Sequence, residues 1–281
     1  MQLRNSSKTG ALTSQADLGE ASSRPRVNGI DRAFQILDFL LKRGEAARGI
    51  EIARGTGMPA STAYQIIERL LEWRVLTGDA EGLIGLGPRL AEYGLGYRQA
   101  VPLLKAAEEE MTRLAREVGE SVQICGRADN EMVVLAMASG PGPFSVTSHV
   151  GTRMPINWAA SGLLLTGHMS EQDRLDLYKR AAQPSPTGEA ETDPETLSRM
   201  SARAFAEGLS VQVNAADFGV ACVAAPIIDE TGACVATISI VVPGIKARVP
   251  DLKREVCQAA RNIEMRAGWG RMHLGKGKVV A

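Results

Sequence analysis

Ser61, Thr62, Tyr64 and Gln65, with Arg69 one helical turn further on, bring hydroxyl, phenol, amide and guanidinium groups together in one short stretch. Such groups hydrogen-bond the edges of DNA base pairs, a Gln can hold adenine with two bonds, and an Arg can hold a phosphate. A second collection is the thiol of Cys222 with the imidazole of His149, types that form nucleophile–base pairs without being close in sequence. Cys222, however, lies in the apolar run Val220–Val223, where a thiol is inert packing, and no Gly-x-Ser-x-Gly elbow or Walker loop accompanies it. A small-molecule-binding protein with Cys222-dependent enzymatic activity is therefore the alternative, and a non-enzyme is expected. His149, His168 and His273 are scattered and the four cysteines form no CxxC pair, so no metal or other cofactor is expected. The run Glu108-Glu109-Glu110 points in successive directions around a helix and reads as a solvated face.

The hydroxyl and amide groups need a helix that presents them. Within Gly49–Leu76, apolar Ile50, Ile52 and Ala53 precede Gly55 and Gly57, which are expected to stop a first helix, and Pro59 suits the first turn of a second. That second helix, to about Trp73, gathers Ala63, Ile66, Ile67, Leu70 and Leu71 on one face and leaves Ser61, Thr62, Tyr64, Gln65, Glu68 and Arg69 outward. Two short apolar runs around Gly78–Gly82 then predict a hairpin, which makes the whole a winged helix-turn-helix. Ile30–Arg43 is its supporting helix, with Asp31 in the first turn and Lys42-Arg43 in the last, as the helix dipole favours.

The chain has 281 residues, enough for two cores, and its 44% hydrophobic and 23% charged content is that of a globular protein. No apolar run has the length of a membrane span, and Met1–Arg26 lacks a signal-peptide core, so a cytoplasmic location without membrane contact is expected. Basic and acidic residues nearly balance between Arg26 and Arg98, and Asp79 and Glu81 sit at the wing tip. One such module holds phosphates weakly, which predicts a homo-oligomer, with Arg26 and Arg69 as phosphate contacts.

The expected organisation is a disordered tail (1–25), the winged helix (26–87), a helical linker (88–118), an α+β domain (119–268) and a flexible tail (269–281). Within the α+β part, strands are expected at Ser121–Ala128, Glu131–Ala138, Phe144–Val150, Val220–Ile228 and Ala233–Val242. Helices are expected at Asn157–His168, Glu171–Ala182, Pro194–Glu207 and Val249–Ala267. Ser170 and Asp193 are placed as N-caps, with Pro194 in a first turn.

Several motifs in this order resemble the IclR family of bacterial transcriptional regulators over about Val27–Gly268. They are Gly29-Ile30-Asp31-Arg32-Ala33, Gly57-Met58-Pro59 with Ser61-Thr62-Ala63, Leu86-Gly87-Pro88-Arg89-Leu90, Met154-Pro155, Ala159–Gly162, Gly208-Leu209, Gly219–Ile227 and Ala236-Thr237-Ile238-Ser239. The resemblance implies a winged helix followed by a GAF-like effector domain, assembled as a homodimer or homotetramer on double-stranded operator DNA. It implies control of a metabolic, catabolic operon by a small organic acid or aromatic metabolite. It assigns the effector pocket to Val146, Met154, Asn157, Ala160, Ser161, Val220, Cys222, Ser239 and Val241, with backbone N–H groups at the start of the Asn157–His168 helix as a carboxylate site. The chain departs from the family where an acidic pair is common before the Gly-Val-x-Cys motif, here Gln212–Asp217, and where a Lys often follows Gly162, here Leu163. Trp158 is unusual, and Gln65 stands where Arg or His is frequent. A pure protein-interaction module would leave the winged-helix pattern unexplained.

Overall fold

A computed structural model describes residues 28–143, 146–244 and 249–269. Arg26, the two expected tails up to residue 25 and from residue 270, and Phe144 lie outside the described residues. The chain divides between Tyr93 and Gly94 into two compact units.

In the first unit, α1 (Gly29–Arg43) starts on a reciprocal cap: Asn28 Oδ1 accepts the N–H groups of Ile30 and Asp31, and Asp31 Oδ2 accepts the N–H of Asn28. A two-residue β1 (Ala47–Arg48) leads into α2 (Gly49–Thr56), which only Gly57 terminates, at φ 67°. Gly55 continues the helix instead of ending it, because its missing Cβ leaves the space that the Phe39 ring occupies. Helix α3 (Ala60–Glu72) follows, with Pro59 one position earlier than expected, as its N-cap. The hairpin of β2 (Leu76–Gly78) and β3 (Leu83–Leu86) closes the unit, β3 also pairing with β1. Ile36, Leu40, Ile52, Ile67, Leu76 and Ile84 form one buried cluster, which fixes the angle between α2 and α3. Asp79 is spent within the wing turn, its Oδ1 accepting the N–H groups of Glu81 and Leu83.

Helix α4 (Arg89–Ala100) buries none of its residues. Helix α5 (Pro102–Val118) begins where proline is tolerated and packs Leu103, Leu104, Ala107, Met111, Leu114 and Ala115 into the core of the second unit, so the expected connector becomes a wall of that unit from Pro102 onward. Glu110 does not lie on a solvated face. It is buried, and its Oε1 accepts from Arg113 and from Asn262 Nδ2 at 2.8 Å.

The second unit is built on a six-stranded antiparallel sheet. Its strands are β4 (Ser121–Ala128), β5 (Glu131–Ala138), β6 (Arg153–Pro155), β7 (Ser210–Val213), β8 (Val220–Ile228) and β9 (Cys234–Pro243), in the order β6-β5-β4-β9-β8-β7. Period-two alternation divides the work of these strands. Val122, Ile124, Val223, Ile238 and Ile240 point to one face, against α5 and α9 (Val249–Arg266). Gln123, Cys125, Cys222, Ser239 and Val241 point to the other. That second face is covered in part by α6 (Ala160–Gly167), which packs on α8 (Pro194–Glu207), with α7 (Glu171–Ala181) outside. Ser170 and Asp193 cap α7 and α8 as expected, and Pro194 opens α8.

The segment 146–150 is not a strand. The edge of β5 is already used, Glu131–Val133 pairing with β6 and Val134 exchanging hydrogen bonds with Gly151 and Thr152, so the preceding residues have no ladder to join.

His168, at the C-terminus of α6, faces Phe205 with ring centroids 6.1 Å apart. Burial, and then the Arg127 charge, hold its pKa below the ordinary 6.5. Its depressed folded-state pKa means that the stability from keeping it neutral is fully present above pH 6.5 and is lost as pH falls through the folded value. Thermal unfolding between pH 5 and 8 is expected to show that acid-side loss in the wild type, with a shallower loss in His168→Gln.

Candidate functional site

In the first unit α3 presents its polar face outward. Ser61, Gln65 and Arg69 are exposed and Thr62 is half-buried. The Tyr64 ring also fills the space that a side chain at Gly49 would take, which sets the start of α2 against α3, and half of it remains exposed. Arg69 Nη1 donates to Glu72 at 2.8 Å, and this hydrogen bond raises the Arg69 pKa. A phosphate must therefore compete with a carboxylate already in place.

In the second unit a cavity of about 530 Å³ opens between the sheet face, the start of α6 and the loops 146–152 and 215–218. Seven of the nine residues expected at an effector pocket line it: Val146, Met154, Ser161, Val220, Cys222, Ser239 and Val241. Asn157 and Ala160 do not. Helix α6 starts at Ala160, after a 3-10 turn over Ile156–Trp158, and Ala160 is packed into the core beside Leu164. The Asn157 amide is fully buried and turned away, with Nδ2 donating to the carbonyls of Gln183 and Glu191, both at 2.8 Å, and Oδ1 accepting the Gln183 N–H at 3.2 Å. Asn157→Leu is accordingly expected to cost about 2 kcal/mol of stability, by stranding these backbone groups, while leaving affinity for a cavity ligand within about threefold. Denaturant unfolding together with calorimetric titration checks both halves of that expectation.

The rest of the lining is mixed and carries one carboxylate, Asp217. Trp158 presents its ring to the cavity while its indole N–H is held by the Gln183 carbonyl at 2.8 Å. Gln123 donates to Ser148 Oγ at 2.6 Å and so ties the 146–152 loop to the sheet. Phe218 stands at the lining with 71% of its surface exposed. Gln123 and Cys125 are cavity residues that sequence reasoning misses, although both sit at alternate positions of β4, on the face that Ser239 shares. That alternation is the signal that could have found them.

The thiols are not poised for chemistry. Burial pushes Cys222 up to about 12 and Cys125 up to about 11, the nearby hydroxyls of Ser161, Ser239 and Thr237 only partly offsetting it for Cys125. His149 also lines the cavity, but its Nδ1 faces Thr152 Oγ1 at 3.2 Å, and among the described residues no hydrogen bond joins it to Cys222. No group of three or more His, Cys, Asp or Glu converges on a metal position among the described residues. Among the described residues Gln212 Oε1 is buried without a hydrogen-bond partner, and Ser161 Oγ and Ser239 Oγ have none beyond the neighbouring Cys125 and Cys222 thiols.

A helix-turn-helix with an open polar face, and an α+β unit enclosing a cavity of metabolite size, are the working parts of a ligand-sensing transcriptional regulator. Residues 29–80 match the IclR helix-turn-helix domain, and residues 96–265 match the bacterial transcriptional regulator IclR C-terminal family. The chain belongs to the IclR family of transcriptional regulators, which are DNA-binding proteins with a ligand-binding C-terminal domain and not enzymes. It is 27% identical to the HTH-type transcriptional regulator KipR of Bacillus subtilis over 78% of this chain and 89% of that one. It is 24% identical to the HTH-type transcriptional repressor AllR of Klebsiella pneumoniae, over 89% and 93% of the two chains. Among solved structures, an IclR homolog from Microbacterium hydrocarbonoxydans complexed with 4-hydroxybenzoate matches with a TM-score of 0.77 at 26% identity, covering 86% of this chain and 99% of that one. The IclR-type regulator of Alicyclobacillus acidocaldarius has the same fold, with a TM-score of 0.78 at 19% identity and coverage of 85% and 98%.

Proposed function

We propose that the protein controls a metabolic, catabolic operon by binding double-stranded operator DNA as a homodimer or homotetramer in the cytoplasm, its affinity set by a small carboxylic acid in the second-unit cavity. The observation that carries this is the cavity itself. It is large enough for a substituted benzoate, has Trp158 on its wall, and meets the N-terminal end of α6, whose cap Ala159 offers no side-chain bond to the first-turn N–H groups. Those groups and the helix dipole attract a carboxylate without help from Arg or Lys, neither of which lines the cavity among the described residues, and they outweigh the single acidic lining residue, Asp217. The 4-hydroxybenzoate bound by the Microbacterium homolog favours an aromatic acid. In this reading Ser61, Thr62, Tyr64 and Gln65 read bases, Arg69 and Arg26 hold phosphates, and the seven cavity residues enclose the effector.

Assembly is supported by α1, where Ile30, Phe34 and Leu41 are each about 60% exposed or more at spacings of four and seven residues, an uncovered apolar stripe. A dimer doubles the phosphate contacts that a charge-balanced module lacks. Thermal shift and DNA titration with a benzoate and the matching benzamide test the effector class. The acid is expected to stabilise the protein and change DNA affinity, and the amide is not. Response to the amide alone would remove the carboxylate site.

A further inference from the structure

We infer that His149 is an effector-binding residue of the cavity, donating a hydrogen bond from Nε2 to the carboxylate of the acid. This rests on the carboxylic-acid reading above. Among the described residues, four side chains on the cavity wall carry a nitrogen donor: Gln123, His149, Trp158 and Gln212. Three of them are committed within the protein. Gln123 Nε2 donates to Ser148 Oγ at 2.6 Å, Trp158 Nε1 to the Gln183 carbonyl at 2.8 Å, and Gln212 Nε2 reaches back to the Asn157 carbonyl at 3.4 Å. His149 is exposed, and it makes no ion pair with Asp217 among the described residues.

The turn that carries His149 fixes which of its nitrogens is left to donate. The Thr152 N–H closes the turn on the His149 carbonyl at 2.9 Å, with Gly151 supplying the positive φ of 91° that the bend requires. Thr152 Oγ1 accepts the His149 N–H at 2.9 Å and lies 3.2 Å from Nδ1. Among the described residues that hydroxyl has no other acceptor for its own proton, so it donates to Nδ1 and the ring proton sits on Nε2. Nε2 is the outer edge of the imidazole, beyond the edge held by the turn. The turn itself is bolted to the sheet at both ends, through Ser148 to Gln123 and through Gly151 and Thr152 to Val134 at 2.8 and 2.9 Å. The donor is therefore ordered before a ligand arrives, which lowers the entropy cost of using it. A carboxylate offers about four lone-pair sites, so the first-turn N–H groups of α6 do not exhaust it.

Calorimetric titration of the full-length protein with benzoate and 4-hydroxybenzoate tests this, in the wild type, in His149→Phe and in His149→Gln. Phe keeps a ring of similar size and removes the donor, whereas the Gln amide can place an N–H near the position of Nε2. His149→Phe is expected to bind both acids about tenfold or more weakly, with its unfolding temperature within about 2 °C of the wild type because the residue is exposed. His149→Gln should stay within about threefold of the wild type for both. Acid affinity that survives in His149→Phe within about threefold, or an equal loss in the two variants, overturns the role of the Nε2 donor and leaves the carboxylic-acid reading standing. Absence of binding of either acid to the wild type removes that reading, and the role of His149 with it.

Discussion

Gly162→Ala is expected to destabilise the second unit by about 3 kcal/mol and to abolish binding of an acid in its cavity. Gly162 lies in the first turn of α6, where a Cβ would overlap the carbonyl oxygen of Ile156, with the carbonyl carbon at 2.8 Å and the Cα at 3.1 Å. All three are backbone atoms of the preceding 3-10 turn, so no rotamer change relieves the clash. Either α6 moves off the sheet or the turn moves off α6. Both displace Trp158 and Ser161, which line the cavity from the two sides of that junction. Calorimetric unfolding should show the loss confined to one transition, because the clash lies wholly inside the second unit. The helix-turn-helix should retain its own transition and its basal DNA affinity. A variant of wild-type stability that still responds to acid would mean that the junction is looser than this packing implies.

The second large effect concerns α3. Gln65→Ala is expected to lose about 1–3 kcal/mol of discrimination at one base position, chiefly against adenine, with little change on unrelated DNA. Arg69→Ala should instead weaken all sequences alike and lower the salt slope by about one. Because Glu72 already holds the Arg69 guanidinium, Glu72→Ala has the opposite sign: the freed cation and the lost acidic group should tighten DNA several-fold. Binding measured on a duplex selected from fragmented genomic DNA, with single-base variants and a salt series, separates the three. A uniform loss from Gln65→Ala, or no change from Glu72→Ala, would contradict these roles.

The elements carried by strong local signals are legible in the sequence. The strands Ser121–Ala128 and Glu131–Ala138 have their expected bounds, and α8 runs from its Asp193 cap through Pro194 to Glu207, with Gly208 in the left-handed region beyond. What is not legible depends on partners distant in the chain. Strands β1, β6 and β7 span two to four residues each and exist only because a longer strand offers them an edge. The alternation in Phe144–Val150 is that of a strand, yet Ser148 is bonded to Gln123 and the adjacent edge of β5 is taken. Gly55 has the local cost of a helix breaker and so reads as a stop, whereas the Phe39 ring from α1 is what requires it. Glu110 reads as solvent-facing because helix position alone does not reveal Asn262, its hydrogen-bond donor far along the chain.

At the cavity, residues pointing from the sheet follow from strand alternation, and seven of the nine expected lie on its wall. The two that do not, Asn157 and Ala160, share one cause. The expected helix begins three residues too early, and a start at Ala160 turns Asn157 toward the 183–191 loop and packs Ala160 against the core. Gln123 and Cys125 escape notice for the opposite reason: their strand is correctly placed, and its alternation puts them on one face, but that this is the Ser239 face follows only from the pairing with β9.

The most direct test of a DNA-binding protein governed from this cavity is DNA affinity with the cavity open and filled. Fluorescence anisotropy on the selected duplex, with and without 4-hydroxybenzoate, should be compared between the wild type and Cys222→Phe, whose ring would occupy the cavity. The wild type is expected to change affinity by about tenfold or more on adding the acid, while Cys222→Phe binds the same DNA with one affinity whether the acid is present or not. Wild-type DNA affinity that ignores an acid shown by calorimetry to occupy the cavity would contradict the coupling.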